Sequence, residues 1–330
     1  MIHMVALRMR FALDVGDVYA VDHMRLARQL GCVEVIGHGP RPPPGSEVWD
    51  FGDLVRMKRH VEDFGLRLDV FEDGPPIEKM MLSLPGHEEQ LEHFCKSLEN
   101  LGAAGIRVIK PQHMPPGWGS VATTSASMPT RGGATSRAFD YELVRNAPLS
   151  EYGTVTEEQM WNGLAYFLKG ALPTAEQAGV KIALHPDDPP ISPIQGFARI
   201  LRSVEAFDQM LEIVPSENIG LLFCQGCFAE MGADIPAAIR HFGRRGKILF
   251  AHFRDVIGVV PRFQEVFHDD GKTDMLAAMQ AYYDVGFEGP MRPDHGVATE
   301  GDPSGRLSKV MVIGYMKGLA ECVEKHTKKT

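Results

Sequence analysis

The chain has 330 residues, 44% of them hydrophobic and 23% charged, enough to bury one large core and unlike the composition of a disordered or fibrous protein. Its 34 basic and 43 acidic residues give a net charge of −9, which argues against a broad basic footprint for nucleic acid or an anionic membrane surface. No apolar run approaches the roughly 20 residues of a membrane span, and five scattered cysteines do not form a secreted disulfide framework, so a cytoplasmic protein with neither a nucleic-acid nor a membrane partner is expected.

Short apolar or β-branched runs recur along the chain, each followed by a longer stretch with helical periodicity, the rhythm of βα units. Strands are predicted at 8–12 (RMRFA), 32–37 (CVEVIG), 66–72 (LRLDVFE), 105–110 (GIRVIK), 180–185 (VKIALH), 219–224 (IGLLFC), 247–252 (KILFAH) and 288–293 (EGPMRP). Helices are predicted at about 21–30, 53–64, 87–103, 157–178, 203–213, 235–244, 273–285 and 307–325. Eight of each suggest a (β/α)8 TIM barrel forming a single domain over 1–330. A doubly wound open sheet is the competing architecture, but no Gly-rich dinucleotide turn follows the first strand, and GHGPRPPPG at 37–45 is too rich in proline to open a helix. The segment 111–155 lacks clear periodicity and reads as a long insertion after strand four, a lid or binding loop.

Four residues of metal-binding type end four consecutive predicted strands: His185 after KIAL, Cys224 after GLLF, His252 after ILFA and Asp294 after MRP. The C-terminal strand ends of a barrel converge on the face where active sites are built. Taken singly, a histidine is more often a satisfied polar group and a buried cysteine a small packing residue; the shared register favours a ligand set. Imidazole, thiolate and carboxylate suit a first-row divalent ion, with manganese or iron leaving room for substrate oxygens and zinc favouring a closed tetrahedron. Cys224 and Cys227 also form a CxxC, but no second pair completes a zinc site, and Cys227 reads as a packing residue. In HPDDPP, prolines stiffen a loop that holds Asp187 and Asp188 as acceptors for a ligand or as substrate contacts, with a solvated turn as the plainer reading. Arg254 in HFRD, and Arg292 and His295 in RPDHG, flank ligands and suit neutralisation of an anionic substrate or proton transfer, against ordinary ion pairing.

In this order, HPDDPP, FCQGCF, AHFRD and MRPDHG resemble the metal-dependent mannonate dehydratases, a family of xylose-isomerase-like barrels. Weaker similarity in EVWDFGDLVRMKRHVEDFGLRLDVFED, LENLGAAGIRVIK, MPTRGGATSRAFD and GYMKGL extends the resemblance over nearly the whole chain. It implies that His185, Cys224, His252 and Asp294 hold a divalent metal, Mn2+ first and Fe2+, Mg2+ or Zn2+ as alternatives. It also implies loss of water from a sugar acid, D-mannonate or a related aldonate, to give 2-dehydro-3-deoxy-D-gluconate or its counterpart. His295 matches the histidine of the family's RPDHG motif and is the candidate for proton transfer, with Arg254 and Asp294 in the catalytic set. Glu72, at the end of strand three, matches an acidic family position and joins Asp187, Asp188 and Arg292 around the substrate.

This sequence departs from the family pattern in several places. Asp255 replaces the asparagine after Arg254, FALDVGD stands for an aromatic RWYG-like motif, and KPQHMPPGWG replaces an aromatic-flanked proline pair. The family's acid–base tyrosine aligns near Ser304, and no tyrosine lies between Asp294 and Tyr315; a serine hydroxyl is a poor proton donor beside a phenol of pKa about 10. A metal-dependent sugar isomerase or epimerase, or a keto-sugar eliminase, shares the first proton abstraction and stands as the alternative. A non-catalytic sugar-binding barrel is the rival from another class, and a homo-oligomer, dimer or tetramer, is the expected assembly.

Overall fold

The computed structural model describes residues 9–42, 46–114, 123–302 and 305–327. Arg8, the 115–122 part of the insertion and Ser304 lie outside them. The chain runs β1 (Arg10–Gly16), α1 (Val21–Gln29), β2 (Glu34–Gly37), α2 (Phe51–Asp63), β3 (Arg67–Phe71), α3 (Glu78–Leu82), α4 (His87–Ala103) and β4 (Val108–Ile109). It continues through β5 (Ser125–Pro129), β6 (Thr135–Asp140), α5 (Glu157–Ala178), β7 (Lys181–Leu184), α6 (Val204–Ile213), β8 (Ile219–Cys224), α7 (Gln225–Glu230) and α8 (Ile235–Gly243). The last part comprises β9 (Ile248–Phe253), β10 (Val256–Val259), β11 (Arg262–Glu265), α9 (Met275–Asp284), β12 (Pro290–Pro293) and α10 (Arg306–Thr327).

Eight strands close a parallel barrel in the order β1-β12-β9-β8-β7-β4-β3-β2. The sequence dictates this closure most plainly at β8 (IGLLFC) and β9 (ILFAHF), buried at every position; an uninterrupted apolar strand needs cover on both faces, which a barrel lined by helices provides. Ala12, Ile36, Val70, Val108, Ala183, Leu222 and Phe250 fill the barrel interior, drawn from seven of its strands, and the larger core lies between the strands and the surrounding helices.

Helix starts follow local chemistry. Thr156 and Gln159 form a reciprocal capping box at the start of α5, and Ser203, Asp234 and Asp274 accept from backbone amides at the starts of α6, α8 and α9. Along α5, Gly163 packs against α3 so closely that a Cβ there would stand 2.0 Å from the Met81 carbonyl oxygen. Gly163→Ala is therefore expected to cost about 1–3 kcal/mol through overpacking against rigid backbone, read as a lower urea midpoint; an unchanged midpoint would show that α3 yields freely.

The structure differs from the sequence reading in the insertion. Segment 111–155 is not only loop: β5 and β6 lie in it, and they join the hairpin β10–β11, also unanticipated, in a four-stranded antiparallel sheet of order β10-β11-β6-β5. The reason is exposure. Four of the five residues of β5 and three of the four in β10 are exposed, so neither shows the alternation of apolar and polar residues that marks a half-buried strand. Strand four is also shorter than expected, two residues instead of six.

Candidate active site

Register places the expected ligands side by side: Cys224 pairs with His252 across β8 and β9, and His252 with Arg292 across β9 and β12. Donor atoms of His185, Cys224 and His252 all lie within 4.8 Å of one another. His185 donates from Nδ1 to the Pro186 carbonyl at 2.6 Å, which fixes the tautomer and leaves the Nε2 lone pair available. His252 is buried, with Nδ1 3.3 Å from Asp294 Oδ2 and Nε2 3.1 Å from Glu72 Oε1, yet neither nitrogen has a partner in hydrogen-bond geometry. Burial and the Arg292 charge oppose protonation of His252, but Asp294 and Glu72 outweigh them and lift its pKa to about 10.

Burial pushes the Cys224 thiol up, but the Cys227 hydrogen bond and the Arg254 charge hold it well below the usual thiol range, so it is poised as a thiolate. Asp294 stands at the edge of this group, its Oδ2 3.8 Å from Cys224 Sγ and accepting from Arg254 Nε at 3.0 Å. Burial disfavours its charge, but His252, His295 and Arg292 keep the carboxyl well below the ordinary range. A thiolate, an imidazole with an available lone pair, a buried imidazole without aligned partners and a carboxylate form a donor set that fits a divalent cation.

A second group of ligand-type atoms, from Asp188, Cys227 and Glu230, also lies within 4.8 Å, but a guanidinium already occupies it. Arg254 donates to Glu230 Oε1 at 2.7 Å, to Asp188 Oδ2 at 3.0 Å and to Cys227 Sγ at 3.2 Å, besides Asp294. Cys227, expected only to pack, is thus an acceptor for this arginine. Arg254 is fully buried and lies behind the cavity wall. Arg254→Met leaves three carboxylates without their shared cation, and a loss of about 3–5 kcal/mol in urea unfolding is expected; a loss within 1 kcal/mol would show that the carboxylates protonate or find other partners.

A cavity of about 360 Å³ opens over the donors, walled by His185, His252 and Asp294 and by the cations Lys110, Arg137, Arg292 and Lys309. Its size suits a small polar molecule; Asp14, Glu72, Asp187 and Asp188 line it as well, so the wall offers cations that can meet a carboxylate beside carboxylates that can meet hydroxyls. Arg292 forms a two-pronged bridge to Glu72, Nε to Oε2 at 2.7 Å and Nη2 to Oε1 at 2.5 Å. Asp187 is buried and engaged at both oxygens, by His113 Nε2 at 3.1 Å and the Leu201 amide at 2.8 Å. Asp188 lines the cavity while accepting from Arg254.

His295 faces the same cavity. Its Nδ1 lies 2.6 Å from Glu265 Oε1, and its Nε2 is 3.9 Å from Asp294 Oδ1. Burial works against its protonation, but Asp294 and Glu265 raise its pKa above the ordinary value. Arg137 Nη1 lies 3.1 Å and 3.0 Å from the two ring nitrogens, and Thr123 Oγ1 anchors the guanidinium at 2.9 and 2.7 Å. Glu265 ends β11 and Arg137 sits on β6, so the antiparallel sheet delivers both to His295.

A family model for D-mannonate dehydratase (UxuA) matches residues 8–151 and 142–330. The chain belongs to that family. A mannonate dehydratase from Thermotoga maritima is 31% identical over 95% of this chain and 97% of its own. The crystal structure of mannonate dehydratase from Streptococcus suis serotype 2 superposes with a TM-score of 0.86 at 29% identity, covering 98% of this chain and 95% of that one. A xylose isomerase domain protein from Planctomyces limnophilus shares the fold at a TM-score of 0.61 and 14% identity, over 96% and 98% of the two chains.

This dehydratase family member therefore has the xylose-isomerase-like barrel that the motif resemblance implies, with the insertion after strand four that the loss of periodicity marks, and no described helix is long and apolar enough to cross a membrane. Glu265, Arg137 and Lys110 escaped the sequence reading. Glu265 and Arg137 lie on strands without an apolar alternation. Lys110 carried the same signal as the ligands, since it too directly follows a barrel strand.

Proposed function

We propose that the chain removes water from D-mannonate to give 2-dehydro-3-deoxy-D-gluconate, using a divalent metal, manganese first, held by His185, Cys224, His252 and Asp294. The observation that carries this reading is the convergence of three ligand atoms within 4.8 Å beneath a cavity lined by both basic and acidic side chains that also holds His295. A cation held there supplies positive charge against the negative charge that develops on the substrate carboxylate as the C2 proton leaves.

His295 takes that proton on Nε2. Glu265 accepts from Nδ1–H and so fixes the tautomer that makes Nε2 the base. Arg137 now covers Nε2 at 3.0 Å; turning to the substrate carboxylate exchanges a contact with a basic ring for one with an anion and uncovers the base. Arg254 positions Asp294 and Asp188 from behind, and Glu72 holds Arg292 in the wall, where the pair and Asp188 meet substrate hydroxyls. Asp187, through His113 and Leu201, braces the loop after His185.

Epimerisation at C2 would use the same base and is the reading to separate. Metal-loaded protein in D2O is expected to convert D-mannonate to the keto-deoxy acid with solvent deuterium at C3. A C2 epimer carrying deuterium at C2, with no water lost, would replace the dehydratase reading.

A further inference from the structure

Dehydration needs a second proton-transfer group besides His295, because a hydroxyl leaves readily only when it is protonated as it departs. Among the described residues no tyrosine lines the cavity, and the sequence has none between Asp294 and Tyr315. The barrel supplies another donor. In the closed strand order, three strands separate β12 from β4 in either direction, so the end of β4 stands diametrically across the barrel from the strand that leads to His295. Lys110 immediately follows β4 and lines the cavity together with His295. Its Nζ donates to Gln112 Oε1 at 3.3 Å, and it lies close enough to Glu72 and Asp294 to feel their charge.

We propose that Lys110 is the general acid that protonates the departing C3 hydroxyl, from the cavity wall opposite the base. The proposal rests on the dehydratase reading and adds the residue that completes it. Burial lowers the Lys110 pKa against the pull of Glu72 and Asp73, which makes its ammonium a readier donor than an exposed lysine. The other cations fit less well. Arg137 and Arg292 do not give up protons in proteins, and Lys309 belongs to α10, the helix that follows β12 on the base's side. His113 has Nε2 on Asp187 and Nδ1 enclosed without a partner.

The step balances. The C2–H bond breaks with its proton going to His295 Nε2, its electron pair forms the C2=C3 double bond, and the C3–O bond breaks as the oxygen takes a proton from Lys110 Nζ and leaves as water. The enol gains a proton at C3 and loses one from the C2 oxygen to become the ketone. His295 then returns its proton to solvent and Lys110 regains one.

The test compares Lys110→Met with the unaltered protein, both metal-loaded, on D-mannonate and on 3-deoxy-3-fluoro-D-mannonate, whose fluoride needs no proton to leave. Lys110→Met is expected to lower kcat on D-mannonate by about 10²–10⁴-fold while fluoride release falls less than about 10-fold and deuterium from D2O still enters C2 of D-mannonate. Lys110→Arg, which keeps the charge without a releasable proton, is expected to show the same pattern and guards against a folding defect in the first variant. Equal losses on both substrates, unchanged turnover of D-mannonate, or the leaving-group pattern in His113→Asn instead would overturn the assignment. If the unaltered protein makes no keto-deoxy acid, the dehydratase reading itself fails, and that outcome involves no substitution at Lys110.

Discussion

Replacing His295 by asparagine is expected to lower turnover of D-mannonate by about 10²–10⁴-fold while leaving the metal content unchanged. Asparagine keeps a donor for Glu265, which lies 2.6 Å from Nδ1, and fills much of the ring's volume, so the wall should hold its shape. What disappears is the basic Nε2. Because the ring is about a third exposed to the cavity and is not among the three converging ligand residues, kcat should fall with little change in KM. The checks are steady-state kinetics and metal analysis on the same preparation. Turnover within threefold of the unaltered protein would remove His295 from the proton transfer, and loss of metal alongside activity would make it a support of the ligand group instead.

The second large effect is at the thiolate. Cys224→Ala should weaken metal binding by more than the about 10–100-fold that follows loss of an outer-sphere partner, because it removes a donor outright. Of the remaining histidines, His185 follows β7 and His252 lies in β9, the two strands flanking β8, with His252 between Asp294 and Glu72 and His185 bonded to the Pro186 carbonyl; neither supplies a donor from the position of Cys224. The substitution also relieves the buried pocket of a thiolate that the Arg254 charge helps to stabilise, so the metal-free protein should remain folded. Competition against a chelator, with circular dichroism as the folding control, measures both. An affinity equal to that of the unaltered protein would place the ion on other donors.

The parts of this molecule that were legible in its sequence share one physical cause. Strands β8 and β9 are buried on both faces, so their residues form continuous apolar runs, and a histidine or cysteine at the end of such a run stands out. His185, Cys224, His252 and Asp294 follow or end four successive barrel strands, and parallel closure then gathers them at one end. The antiparallel sheet has no such signature. Its outer strands β5 and β10 are mostly exposed, the inner pair TSRAFD and RFQE carries too few apolar residues to alternate, and β6 and β11 meet from distant parts of the chain, Arg262 opposite Asp140, so neither periodicity nor local spacing reveals that Glu265 and Arg137 reach His295. The role of Arg254 was hidden for a different reason: its four partners come from the loop after β12, α7 and the loop after β7, and only the folded chain shows that its charge is spent within the wall. Lys110 follows a barrel strand as the ligands do, but a lysine is not a metal-ligand type, so its position alone does not mark it.

The central claim, a metal-dependent dehydration at this cluster, meets its most direct test in a titration of metal-free protein with Mn2+ while formation of 2-dehydro-3-deoxy-D-gluconate from D-mannonate is followed. Activity should be absent without metal, rise in proportion to added ion and break at one ion per chain. Full dehydratase activity in protein shown to be free of metal, or no activity at any loading, would contradict the account.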